Sequence, residues 1–255
     1  MKLLTTFLCI FCCTTLLPAQ QNDTTASRSV DSVAVYLLDH VVGIIGELQS
    51  CSYQLTTSVD EVHPEYGLHK EFTEYEVHMS GPDKMLVEEE GHEGKWGYWY
   101  NGTTFTYYSY TEDNYAIIDA PSNTVAMMDT LHRMYDIEFP AADFFYPTFT
   151  DDILNNFDTL WYLGRKHIEG QECFHILAKS EEMSVQIWLA DDGFTLPVKF
   201  AIVYRDQADY PQYEATFSNW EVNPELPPSL FEFVPPPDAR LIAIVPKTTN
   251  RPTSP

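Results

Sequence analysis

KWGYWYNGTTFTYYSY (residues 95–110) carries eight Trp, Tyr or Phe residues in sixteen positions, with Asn101-Gly102 near its centre. Two strand-favouring runs flanking Asn-Gly predict a β-hairpin with a type I′ turn, because both central residues of that turn need the left-handed backbone that Asn and Gly tolerate. Side chains alternate faces along a strand. Trp96, Tyr98 and Tyr100 therefore fall on one side and Trp99 on the other. A sheet with aromatic groups on both faces can wall an apolar cavity, or it can be covered by the protein's own chain.

Working outward from the hairpin, alternating or β-rich runs occupy residues 50–61, 68–80, 84–90, 95–100, 103–110 and 115–119, and again 159–168, 171–180, 183–190, 196–205 and 212–222. The connections are short and rich in Gly, Pro, Asn and Asp, which favours antiparallel neighbours. Two helical pieces interrupt the strands. Over residues 29–48, Val30, Val33, Leu37, Val41, Ile44 and Leu48 recur at helical spacing, with Ser29 as the expected N-cap. Residues 125–135 place Met128, Leu131, His132 and Tyr135 at the same spacing, and the stretch beyond, to 157, reads as short helices or turns. About ten or eleven strands exceed what a flat sheet holds. The expected class is α+β but mostly β: a strongly curved antiparallel sheet, an open half-barrel, with helices on its concave side as a lid.

The chain begins with one Lys, an apolar run over residues 3–17 and a small residue before a polar stretch, the pattern of a secretory signal peptide over residues 1–19. A single domain is expected over 29–245 and a polar, Pro-rich disordered tail over 246–255. No later segment reaches the ~20 apolar residues a membrane helix needs, so stable membrane insertion is not expected. Acidic residues outnumber basic ones 38 to 14, for a net charge of −24. Such charge opposes nucleic acid and anionic lipid surfaces. Two cysteines remain after the leader, Cys51 and Cys173. A disulfide between them would close a loop worth ~4 to 5 kcal/mol in an oxidising compartment, and two buried free thiols is the alternative.

The phrases WYNG (99–102), YAII (115–118), EFPAADFFYP (138–147), GRKHIEGQECFHILA (164–178), VQIWLADDGFTLPVKFAIVY (185–204) and FSNWEVNPELPPSLFEFVPPPDARLI (217–242) resemble the predicted periplasmic family called domain of unknown function 2092. The resemblance spans residues 30–242, and departs from the family at Gly81 and Val185. It implies a periplasmic protein with a fold similar to the lipoprotein carrier LolA, an open half-barrel with helices over an apolar cavity. It supplies no catalytic or binding residues.

No GxSxG, HExxH, CxxC or phosphate-cradling Gly loop is present, so no catalytic residue, metal or cofactor is nominated and a non-enzymatic binding role is expected. His167 and His175 flank a predicted turn and read as a surface or hydrogen-bonded pair rather than half a metal site. The aromatic wall is expected to comprise Trp96, Tyr98, Tyr100, Phe105 and Tyr107, with Trp188 and Phe200 across the sheet. Met127, Met128 and Met134 are the candidate lid contacts, since Met fills irregular space. A lipid or the acyl chain of a lipoprotein is the expected ligand. The alternative is an interaction or sensor module that binds a polypeptide.

Overall fold

The computed structural model describes residues 28–247. The expected signal peptide, and all but the first two residues of the expected tail, lie outside the described residues. A two-residue strand, β1 (Ser29–Val30), precedes helix α1 (Ser32–Glu47). Six strands follow: β2 (Ser50–His63), β3 (Gly67–Ser80), β4 (Lys84–Gly91), β5 (Gly94–Tyr100), β6 (Thr104–Ser109) and β7 (Asn114–Asp119). The insert contains α2 (Thr124–Tyr135), a 3-10 turn (Ala142–Phe145) and α3 (Phe149–Asn156). Strands resume as β8 (Thr159–Ile168), β9 (Gln171–Lys179), β10 (Met183–Ala190), β11 (Pro197–Tyr204) and β12 (Gln212–Val222). A 3-10 turn (Pro228–Phe231) and β13 (Arg240–Leu241) complete the described chain.

All strands join one sheet in the order β1-β8-β9-β10-β11-β12-β2-β3-β4-β5-β6-β7-β13. It is curved and unclosed. Every long pair is antiparallel and sequential except β12 with β2, which welds the second half of the chain to the first. The two parallel pairs, β1 with β8 and β13 with β7, are only two residues long and lie at the margins. Exposed strand edges invite pairing with another chain, and here β1 and β13 each pair with two residues of the outer long strands β8 and β7.

That edge role corrects the expected start of α1. Ser29 is not its N-cap: its amide donates to the Asp158 carbonyl (3.2 Å) as β1 lies along β8. Asp31 caps the helix instead, its carboxylate accepting from the Val33 amide at 2.8 Å. Ala34, Leu37, Leu38, Val41 and Ile45 form the buried stripe and share one core with α2, the insert and the inner faces of β2–β6 and β8–β12. The helices thus sit on the concave side of the sheet.

The Asn101-Gly102 turn also differs from the expected type I′. Only Gly102 has left-handed backbone (φ 94°). Asn101 instead turns its side-chain oxygen inward to accept from the Thr103 and Thr104 amides (3.1 and 3.0 Å), a local Asx arrangement. A side chain at Gly102 would strike the Asp83 carboxylate, which stands 2.5 Å from where a Cβ would be.

On the convex side, the segment after β12 straps the aromatic hairpin. Phe233 packs on Trp99, Tyr108 and Tyr115 with ring centroids 4.9, 5.5 and 5.5 Å away, and Phe231 is buried nearby in the chain. Asn101 donates from its side-chain amide to Glu232 (3.0 Å).

Candidate functional site

Alternation brings Tyr98, Tyr100, Phe105 and Tyr107 to the concave face, where the insert covers them. Tyr100 and Phe105 are both 0% exposed. Phe139 stands edge-on to Tyr98 and Phe105, with centroids 5.9 and 6.1 Å away. The Tyr100 hydroxyl donates to the Pro121 carbonyl. Trp96, paired with Ser109 across the hairpin, is half-buried. Beside it the Tyr98 hydroxyl donates to the Glu89 carboxylate at 2.8 Å, and burial raises the pKa of both groups.

Across the sheet, Phe200 also faces the core but lies beneath Phe144, which touches Phe149, Phe200 and Phe217 at 4.9, 5.7 and 5.8 Å. Trp188 is on the opposite face from the one expected. Val185, Ile187 and Leu189 point into the core, so Trp188 points outward, stacked on His175 at 4.6 Å. Its sequence parity with Ser184 and Gln186 was the available signal. His175 donates from Nε2 to the side-chain oxygen of Gln186 (3.0 Å), while His167 pairs with Glu172 instead of with His175.

The lid methionines separate in the same way. Met127 and Met128 are buried beneath α2, whereas Met134 is exposed on its outer side, with its carbonyl accepting from the Lys247 amide. Of the two alternatives for the cysteines, the structure has the free thiols: Cys51 and Cys173 are both buried and unbonded. Cys51 faces the core from β2, and Cys173 faces outward from β9 among Ala190, Val198 and Trp188. Four strand spacings separate them, ~19 Å along the sheet, far beyond the ~7 Å Cα limit of a disulfide. Burial pushes the Cys51 thiol up to about 12, so it is protonated and unreactive at neutral pH.

Space remains in two places. A void of about 20 Å³, enough for one water-sized body, lies behind Tyr53, Tyr75, Val87 and Phe139. An open cleft of about 540 Å³ lies at the end of the half-barrel, where α1 stops and α2 begins. Ile45, Leu48 and Cys51 form one side of the cleft, and Pro82, Thr124 and Val125 form the other. Met79, Met128 and Phe145 line both spaces and so form the partition between them. The cleft lies within the ~300–1,000 Å³ range of small-molecule sites.

The mouth is held by polar contacts that leave the interior apolar. Gly81 donates its amide to the Gln49 carbonyl (2.8 Å), and Thr124 donates both its amide and its hydroxyl to the Pro82 carbonyl (3.0 Å each). Ser50 donates its hydroxyl to Pro224 at 2.7 Å. Sequence reasoning missed this cleft. Its signals were Gly46 inside a helical pattern and the Gly81-Pro82 pair, neither of which is aromatic.

In the insert, Asp143 is pushed from an ordinary 3.8 up to about 6 by burial, helped by the Glu138 and Asp152 carboxylates and opposed by a backbone hydrogen bond. Among the described residues, no group of three or more His, Cys, Asp or Glu could hold a metal ion.

Residues 34–245 match the family described as Predicted periplasmic protein (DUF2092). The chain belongs to that family. The match places this DUF2092 protein in the periplasm, and no helix among the described residues is long and apolar enough to cross a membrane. No curated protein matches the sequence. Among solved structures, the DUF2092 chain is similar to an uncharacterized conserved protein from Thermus thermophilus, at 12% identity and a TM-score of 0.48, covering 83% of this chain and 99% of that one. It is also similar to LprF from Mycobacterium bovis (12% identity, TM-score 0.45, 77% and 98% covered). A LolA superfamily protein from Nitrosomonas europaea is a further likeness (10% identity, TM-score 0.32, 78% and 97% covered).

Proposed function

We propose that this protein is a periplasmic, non-enzymatic carrier that takes an acyl chain, from a free lipid or a lipoprotein, into the cleft between the end of α1 and the start of α2. The observation that carries this reading is the open 540 Å³ cleft, separated from the void behind it by Met79, Met128 and Phe145. Unbranched Met side chains change rotamer at low cost, so this partition can yield to an entering chain. Each methylene buried contributes ~0.8 kcal/mol, so an eight-carbon segment supplies ~6 kcal/mol before the cost of ordering it. The protein would act by stoichiometric binding and hand-over. The aromatic hairpin, covered by Phe139, would take no direct part in binding.

A second reading, a module that binds a polypeptide, is favoured by the filled interior beneath the insert. Native mass spectrometry of the mature protein purified gently from the periplasm, followed by organic extraction, separates the two. A stoichiometric adduct that extracts as a lipid is expected. A clean apo mass, with no uptake of added phospholipid or acylated peptide, overturns the carrier reading in favour of the module.

A further inference from the structure

The polar character of the cleft's mouth is one-sided. Of the described side chains lining it, Glu47 alone is charged. Glu47 is the last residue of α1, whose final turn contains no basic residue. The helix stops there because the Leu48 amide turns back to Ile45 (3.2 Å), while the Gln49 and Ser50 amides go to the side-chain oxygen of Asn223 at 2.8 and 3.3 Å. The carbonyls of Gly46 and Glu47 are thereby left at the rim without partners in the helix, at the negative end of its dipole.

Across the mouth, α2 begins, and the donors of Thr124 and Ala126 there are engaged. Thr124 donates to Pro82 and the Ala126 amide donates to Asn123 (3.1 Å). The Ser50 hydroxyl is likewise committed to Pro224. Gln49 is the remaining polar side chain, and its amide can serve either role. The rim thus offers acceptors and negative charge on a chain whose net charge is −24.

Resting on the acyl-carrier reading above, we infer that the cleft selects an apolar chain whose polar end is cationic or a neutral hydrogen-bond donor, such as an amine, a hydroxyl or an amide N–H. It rejects chains ending in phosphate or carboxylate. An anionic end brought to this mouth meets Glu47 and the helix carbonyls with no unengaged cation among the lining residues, whereas an ammonium or hydroxyl gains hydrogen bonds there.

The test compares four twelve-carbon probes below their micelle concentrations, by calorimetry on the full mature chain: dodecylamine, monolaurin, laurate and dodecyl phosphate. The amine and monolaurin are expected to bind about tenfold or more tightly than the two anions. Glu47→Gln should shrink the amine's advantage and Glu47→Lys should reverse it toward laurate. Glu181→Gln, the same charge change at an exposed turn far along the chain, should leave it intact. Equal binding of all four probes, or tighter binding of the anions, overturns the headgroup inference and leaves the acyl reading standing. An advantage that Glu181→Gln removes as fully as Glu47→Gln overturns the assignment to the cleft. Binding of none of the four overturns the acyl reading and this inference with it.

Discussion

Under the β5–β6 hairpin the concave face is filled by rings from the protein's own insert, whereas at the β2–β3 end, between α1 and α2, it is open. The filled end is built from Tyr100, Phe105 and Phe139, and the open end from Gly46, Gly81, Met79 and Met128. The difference follows from shape and stiffness. Large planar rings gain most by meeting one another edge-on, so a region rich in them draws in more chain until no gap remains. Space persists where backbone lacks side chains and where the side chains present can move. Aromatic density marks the place that must be packed, and the vacancy lies beside it.

The comparison is strained hardest by Phe105→Ala. Phe105 is fully buried against Tyr98 and Phe139, so its loss should cost ~3–5 kcal/mol in urea denaturation. Acyl-probe affinity of the fraction still folded should be unchanged. A mutant that stays stable yet loses affinity would make the hairpin a ligand wall and void the distinction between the two ends.

Met128→Trp tests the open end. Met128 belongs to the partition between cleft and void, and a ring there overfills it, costing ~1–3 kcal/mol of stability. Affinity for acyl probes should fall by about tenfold or more as buried methylenes are displaced. Unaltered affinity would confine the ligand to the outer cleft.

Asp143→Asn sharpens the account of the insert that fills the other end. A carboxyl whose folded pKa lies near 6, above its unfolded value, contributes stability that is complete below pH 3.8 and lost as pH rises through 6. The neutral amide removes that penalty. Thermal stability at pH 7.5 should rise, on the order of 2 kcal/mol, and the excess should vanish below pH 4. Melting curves across pH 3.5–8 check this, and a variant equally stabilised at both ends of the range refutes a charge-based cause.

How much of this was legible in the sequence depended on how local the determinant was. Strands β8, β10 and β12 begin and end where alternation and turn residues place them, because pleat parity and chain reversal are set within a few residues. Ser29 and Val30 read as helix from their spacing, yet their strand conformation answers to β8, more than a hundred residues away in sequence. Trp188 falls on the unexpected face because its size is a weaker guide than its parity with Gln186. The strap bearing Phe231 and Phe233 has no periodicity, and its role exists only once Trp99 and Tyr108 are side by side. The cleft was least legible, being defined by what three separate segments leave unfilled.

The smallest expected effect separates cleft volume from helix flexibility. Gly43 and Gly46 both lie in α1, both are exposed, and no atom stands within 4 Å of where a Cβ would be at either. Alanine at each should stabilise the protein by ~0.5–1 kcal/mol through helix propensity, a little less at Gly46 because it is one residue from the helix end. Only Gly46 borders the cleft, so its methyl group would occupy ligand space. Gly46→Ala should therefore stabilise the fold while weakening acyl uptake about two- to fivefold, and Gly43→Ala should stabilise it with uptake intact. Equal weakening by both variants would mean that loading depends on the looseness of the last turns of α1. The open end would then be a moving wall, and its volume at rest would understate what it can admit.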